Sequence, residues 1–242
     1  FNWSYTMQLP KITYPLTTLE IPSTKKKLPF RPFLVKEEKI LLLAKASEQK
    51  EDIYLAIMQV INNCASDDQF DCSKLTVFDM EYLFMKLHAI SVNNVIQVKY
   101  KDSEDDKIYD LQIPIDKVVI KWPKNTSTKI EINQKTGLIM KYVEADVFND
   151  REFLDSGNDA LFKLLCKSIA QIYDGEIVYD CSTYTLQEIE QFVEGLDSKI
   201  FEKLIEFVSN TPSLYYQLEY TNSKGTKRTI ELKSLQDFFT LR

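Results

Sequence analysis

A chain of 242 residues with 44% apolar and 27% charged side chains has ordinary globular usage, and it is long enough to bury a sizeable core as one large domain or two small ones. Its formal charge of −6 argues against generic binding to nucleic acid or to an anionic membrane, both of which draw on clustered Lys and Arg, and leaves proteins as the expected partners. No membrane span is expected: the longest uncharged apolar run, Ile40 to Ala44, is far too short, and the first residues lack a basic stretch followed by an apolar one, so assembly in the cytoplasm follows.

Residues 1–29 read as an extended arm. Thr, Tyr, Leu, Ile and Pro alternate there, and Pro10, Pro15 and Pro22 forbid a helix while permitting edge strands, with Leu16 to Ile21 as one strand and Ser23 to Lys27 as a polar turn. Pro29 and Pro32 bias the residues before them away from the helical region, so Arg31 is extended or in a turn and a helix can begin only after it. From Glu37 it runs into Ile40, Leu41, Leu42, Leu43 and Ala44, an apolar run too continuous for one stripe, which predicts burial on more than one side. A second helix carries Ile53, Ile57, Met58, Val60 and Ile61. Beyond an acidic loop, Thr76 and Asp79 offer a capping pair for a third helix through Leu83, Phe84 and Leu87.

From Val95 the period changes to two. IQVKY and IYDLQIPI flank the charged run Lys101 to Lys107 as a hairpin, and VVIKW, KIEIN and LIMKYV continue as strands to about Val143. The helical period returns with Asn158 capping a helix through Leu161, Leu164, Leu165, Ile169 and Ile172 that stops near Gly175. Thr185 and Glu188 form a capping box for the next helix, and Ser198 opens another carrying Phe201, Leu204, Ile205 and Val208. YYQLEY and RTIEL close the chain as strands around the Asn222 to Gly225 turn, ahead of SLQDFFTL. The hairpins QVKYKDSEDDK (Gln97 to Lys107) and QLEYTNSKGTK (Gln217 to Lys227) echo each other, each after an amphipathic helix. The expected class is therefore α+β, helices with antiparallel hairpins in two similar helix-plus-hairpin lobes, divided as 1–29, 30–150 and 151–242.

The inventory offers little chemistry. Cys64, Cys72, Cys166 and Cys181 contain no C-x-x-C, and a chain of this size needs no disulfide, so free thiols are expected. The single histidine, His88, cannot complete an ordinary zinc set, and the cluster Cys64, Asp67, Asp68, Asp71, Cys72 mixes hard and soft ligands, so no metal is expected. The five glycines, at 137, 157, 175, 195 and 225, can write neither G-x-G-x-x-G nor the P-loop, and no cofactor is expected. His88, at a helix end, reads as a cap on the last carbonyls rather than a general base. Carboxylate pairs such as Glu37 with Glu38 and Glu104 with Asp105 are adjacent charges of solvated helices and tips. A hydrolase acting on the cell wall would need two of the acids in one cleft.

One stretch carries a resemblance. Phe30, Arg31, Pro32, Phe33, Leu34, Val35, Lys36, Glu37, Glu38 and Lys39 match the signature of a small family of baseplate hub proteins from T-even-type contractile phage tails. EYLFMKLHAISV at Glu81 to Val92, YDGEIVYD at Tyr173 to Asp180 and the closing LEYTNSKGTKRTIELKSLQDFF extend it over most of the chain. The resemblance implies a non-enzymatic hub protein, either a structural subunit that stays in the virion or an assembly factor acting as a chaperone in the host cytoplasm. It also implies other hub proteins as partners, with self-association open. Some relatives carry cysteine pairs in the hairpin tips. Here Asp102 to Lys107 and Thr221 to Arg228 contain none, so no zinc role and no catalytic residue is carried over. The expected contact residues are Trp3, Tyr5, Phe30, Arg31, Phe33, Phe238 and Phe239, because aromatics gather where surfaces bury against partners.

Overall fold

The computed structural model describes residues 12–47, 49–124 and 127–240, with the side chains of Lys50, Phe239 and Thr240 left aside. Strands β1 (Thr17–Glu20) and β2 (Lys27–Phe30) pair antiparallel around the polar turn, Thr17 opposite Phe30. Three helices follow: α1 (Val35–Ala46), α2 (Lys50–Cys64) and α3 (Val77–Ser91). Thr76 starts α3 as its residue type dictates, its Oγ1 accepting from the Asp79 N–H at 3.3 Å and donating to Asp79 Oδ2 at 2.6 Å. The same carboxylate accepts from the Ser23 N–H at 2.9 Å and its hydroxyl at 2.5 Å, which fixes the β1–β2 turn onto the start of α3.

Strands β3 (Val95–Lys101) and β4 (Ile108–Pro114) form the expected hairpin, with Val95 opposite Pro114. The next strands do not extend that sheet. β5 (Val119–Lys121) pairs with β10 (Ser213–Thr221), which also pairs with β11 (Lys227–Leu232). β6 (Lys129–Glu131), β7 (Thr136–Met140), β8 (Ile169–Asp174) and β9 (Ile177–Asp180) make a separate antiparallel sheet in that order. Helices α4 (Arg151–Leu154), α5 (Ala160–Lys167), α6 (Leu186–Glu194) and α7 (Ser198–Ser209) accompany it, and α8 (Leu235–Thr240) ends the described chain.

The helix expected from Asn158 to Ile172 is corrected here. α5 ends at Lys167, and Ile169 to Asp174 are a strand. Ser168 closes the helix: its N–H reaches the Leu164 and Leu165 carbonyls at 3.0 and 3.1 Å, and its hydroxyl donates to the Leu164 carbonyl at 2.7 Å. Ile169 and Ile172 then pair across to β7, and Gly175, at φ +62°, turns the chain into β9, a conformation that favours glycine. Three residues apart, those isoleucines satisfied the helical period by coincidence. The capping box of α6 is present as expected, the Thr185 N–H donating to Glu188 Oε2 at 2.8 Å and Thr185 Oγ1 accepting from the Glu188 N–H at 3.3 Å.

Two hydrophobic clusters form among the described residues. The first gathers Phe30, Val60, Ile61, Met80, Leu83, Leu87 and Ile113, and also Leu214, Leu218, Leu232, Leu235 and Phe238 from the far end of the chain. The second holds Ile130, Leu138, Leu165, Ile169, Val193, Leu204 and Phe207. The clusters therefore do not divide near residue 150: the segment from β6 to α7 lies in sequence between β5 and β10, which hydrogen-bond to each other with Ser213 opposite Lys121. Aromatic contacts join the clusters. Phe78 of α3 meets Trp122 and Tyr142 edge-on at 5.6 and 5.5 Å, and Tyr142 stacks on Phe207 at 5.4 Å.

Candidate protein-interaction site

The signature stretch is a fastening inside the chain. Its backbone runs along the C-terminal end of α2, the Arg31 N–H donating to the Cys64 carbonyl at 2.9 Å and the Ser66 N–H to the Pro29 carbonyl at 3.1 Å. The Arg31 guanidinium forks onto Glu37, Nη2 to Oε1 at 2.9 Å and Nη1 to Oε2 at 3.2 Å, and donates to the Asn63 carbonyl at 2.7 Å and the Pro32 carbonyl at 3.0 Å. A cation is favourable against the last carbonyls of a helix. Glu37 in turn accepts from the Leu34 N–H at 2.9 Å, one of the donors that the first turn of α1 leaves free. Burial by itself would raise the Glu37 carboxyl, but the Arg31 fork and the Leu34 N–H hold it below the ordinary carboxylate range, and the Glu37 hydrogen bond raises Arg31 in return.

The expected contact residues separate accordingly. Phe30 and Phe33 are buried, Phe30 edge-on to Phe70 at 5.5 Å and Phe33 against Phe84 at 5.8 Å, and Phe238 is fully buried in the first cluster. None of the three offers a free side chain, because a Phe next to the proline bends and at the closing helix serves the core first. Arg31 is largely covered by its internal partners. Trp3 and Tyr5 lie outside the described residues, as does the Phe239 side chain.

The apolar surface lies elsewhere. The run Ile40 to Ala44 is not buried on several sides as its continuity implied: Ile40 and Leu41 pack against the first cluster while Leu42 and Leu43 stay 67 and 63% exposed. With Val35, 81% exposed, and Ala46, also exposed, they occupy positions i, i+7, i+8 and i+11 of α1, one solvent-facing side of the helix on which Lys39, at i+4, is also exposed. The signal was in the sequence, since at helical spacing Val35, Leu42, Leu43 and Ala46 fall on the side of α1 opposite Ile40 and Ala44.

A second feature that sequence reasoning missed is a clasp between the echoing hairpins. The β3–β4 tip is acidic and the β10–β11 tip basic, and they meet. Asp102, fully buried, accepts from the Tyr220 hydroxyl and forms an ion pair with Arg228, Nε to Oδ2 at 3.3 Å; Asn222 Nδ2 donates to Glu104 at 2.7 Å; and Lys224 Nζ donates to the Glu104 carbonyl at 2.6 Å. Asp105 accepts from Ser223 N–H and Oγ at 3.0 and 2.8 Å and from the Tyr109 hydroxyl at 2.5 Å. These donors hold both carboxyls below their ordinary range, the Tyr220 hydroxyl first for Asp102 and the Tyr109 hydroxyl first for Asp105. The opposite charge of the two tips was the legible clue.

Burial pushes the thiols of Cys64, Cys72 and Cys166 up to about 11, 12 and 12, where they are poor nucleophiles. Burial also lowers the His88 imidazole in the last turn of α3. Among the described residues no cluster of His, Cys, Asp and Glu is placed to hold a metal ion, and no helix is long and apolar enough to cross a membrane.

Comparison with known proteins defines the class. A family model described as T4 bacteriophage base plate protein matches residues 13–240. The chain belongs to that family and is a bacteriophage baseplate protein. Searches among curated proteins and among solved structures found no match.

Proposed function

We propose that this chain is a non-enzymatic protein of the baseplate hub of a contractile phage tail. It acts by protein–protein contacts with other hub proteins while the hub is built in the host cytoplasm, as a subunit that enters the virion or as an assembly factor that leaves. The observation that carries the reading is the gathering of exposed Val35, Leu42 and Leu43 on one side of α1, around Lys39, in a chain of the baseplate family, since large apolar side chains grouped at the surface mark a face that another protein covers. It adjoins the signature fastening, so the residues that most identify the family also set the angle at which α1 presents that face.

The buried carboxylates support the same reading, because each has a structural occupation: Glu37 holds Arg31, Asp79 holds Ser23 and Thr76, Asp102 holds Tyr220 and Arg228, and Glu81 meets the Tyr54 hydroxyl at 3.2 Å. The competing hydrolase would need two acids facing one cleft. Asp174 and Glu188 do line one cavity of about 420 Å³, but Asp174 accepts from the Thr136 hydroxyl at 2.9 Å and Glu188 from the Thr185 N–H at 2.8 Å, while Glu81, the acid with the most raised pKa, lines a cavity of about 310 Å³ whose other described walls carry no carboxylate.

The test is Leu42→Glu with Leu43→Glu, introduced into the phage. Both side chains are solvent-exposed, so the purified variant is expected to keep the wild-type circular dichroism and melting temperature while hub intermediates fail to mature and infectious yield falls sharply. Normal particle yield from the folded variant overturns the α1 assignment. Lytic activity of the purified chain on host cell wall would favour the hydrolase.

A further inference from the structure

The exposed side of α1 carries charges as well as apolar groups, and their placement points to one partner. Val35, Lys39, Leu42 and Ala46 follow one another at spacings of four, three and four, the interval of a seam along which two helices pack, and Leu43 adjoins it. All five are exposed, while Ile40 and Leu41, packed against the first cluster, turn away from them. Lys39 stands inside that seam. A single polar residue at such a position costs stability and specifies the register that the helix accepts.

Glu38 and Lys45 flank the seam on one side. Seven residues apart, they stand two turns or roughly 10 Å from each other along the axis, too far to meet within one helix. Both are exposed, and among the described residues neither enters an ion pair; the pairs that α1 does make, Arg31 with Glu37 and Lys36 with Glu37, centre on its buried acid. The other flank carries Lys36, Leu43 and Ser47 and no acid.

A two-fold axis across α1 would bring the same flank of two copies together with the helix directions reversed. In that register Glu38 of each copy meets Lys45 of the other, and Leu42 and Leu43 of the two copies meet beside the axis. Lys39 then lies against Ala46 and Ser47 of the second copy, whose small side chains leave room for its stem and whose helix end favours its charge. A parallel pair would instead set Glu38 and Lys45 against the opposite flank, where no acid answers Lys45, and would align the two helix dipoles. We propose that α1 pairs antiparallel with α1 of a second copy, a two-fold self-association fastened at both ends by Glu38–Lys45 ion pairs. This pairing rests on the reading of this side of α1 as a contact face and names its occupant. One face of a 12-residue helix, about 18 Å long, is smaller than the roughly 800 Å² per partner of a standard complex, so the expected dissociation constant is micromolar or weaker.

The test uses the full chain in sedimentation velocity from about 1 to 300 µM, a range that covers such affinities. Glu38→Lys, Lys45→Glu and Leu42→Glu are compared with the wild type, each first shown to be folded by circular dichroism. The expected result is a dimer of the wild type, its loss in Leu42→Glu, and a dissociation constant raised roughly tenfold or more in each charge variant alone, since each sets like charges together twice. An equimolar mixture of the two charge variants recovers the dimer, because across a mixed pair every lysine again faces a glutamate. A wild type that stays monomeric throughout the range overturns the proposal, as does association that survives Leu42→Glu or charge variants that stay weak when mixed. A monomeric wild type whose Leu42→Glu, Leu43→Glu variant still fails to build hubs keeps the contact face and gives it to a different protein, so the two readings fail separately.

Discussion

At Arg31 one guanidinium answers two needs: it gives the α2 C-terminus a cation, and it neutralises Glu37, whose side chain is wholly buried while it holds the first turn of α1. Removing one partner of a buried pair leaves the other charge without compensation, which costs far more than the pair contributes. Arg31→Ala is therefore expected to destabilise the chain by about 3 to 5 kcal/mol in chemical denaturation. Arg31→Lys should lose less, since an ammonium keeps the charge but not the fork. Equal stability of all three chains would show that the fastening carries no load. Glu81 supplies a pH dependence of opposite sense to the usual carboxylate. Burial raises it to about 7, so between the unfolded value of 4.5 and 7 the folded chain binds the extra proton. Its contribution is present below 4.5 and is lost as pH rises through 7. Relative to Glu81→Gln, the wild type is expected to lose on the order of 3 kcal/mol between pH 4.5 and pH 8. A difference that does not vary with pH would contradict the shift.

Among the elements, β7 and β8 show how one residue governs a strand pair. Gly137 lies opposite Tyr173, and a Cβ there would overlap the Tyr173 ring and come within 2.7 Å of the Ile130 carbonyl oxygen on β6. The ring fills the space of the missing side chain and carries Lys129 Nζ at 5.2 Å from its centroid. Gly137→Ala should lower stability by about 1 to 3 kcal/mol through overpacking, and Gly137→Ala with Tyr173→Ala should lose less than the sum of the two, as measured in a double-mutant cycle. Full additivity would mean the ring and the glycine are independent. The element record also shows what local pattern can and cannot give. Caps at Thr76 and Thr185 and the tips at Asp102 and Asn222 are set by hydrogen bonds within a few residues, so they were legible. β8 was not, because its isoleucines also fit the helix before it and only pairing with β7 decides between them. The α1 stripe was misread for a related reason: an apolar run states that something covers it, without stating that the cover belongs to the same chain.

Over the whole molecule the chain closes on itself. β10, β11 and α8 complete the first cluster begun by β1 to α3, and the opposite charges of the two hairpin tips hold that closure from outside. Sequence patterning placed the strands but not their partners, since which hairpin meets which is settled by contacts more than a hundred residues apart, such as Tyr220 on Asp102. The site shows the same limit: the signature residues were identified, and their inward fastening needed the fold. Its buried acids are occupied internally and apolar side chains of α1 are open to solvent, which is what the proposed role in assembly calls for. A mass-spectrometric inventory of purified phage particles and of isolated hub intermediates tests this most directly. The account predicts peptides of this chain in the hub intermediates, and in the particles as well if it is a retained subunit; its absence from both would contradict a role in the hub.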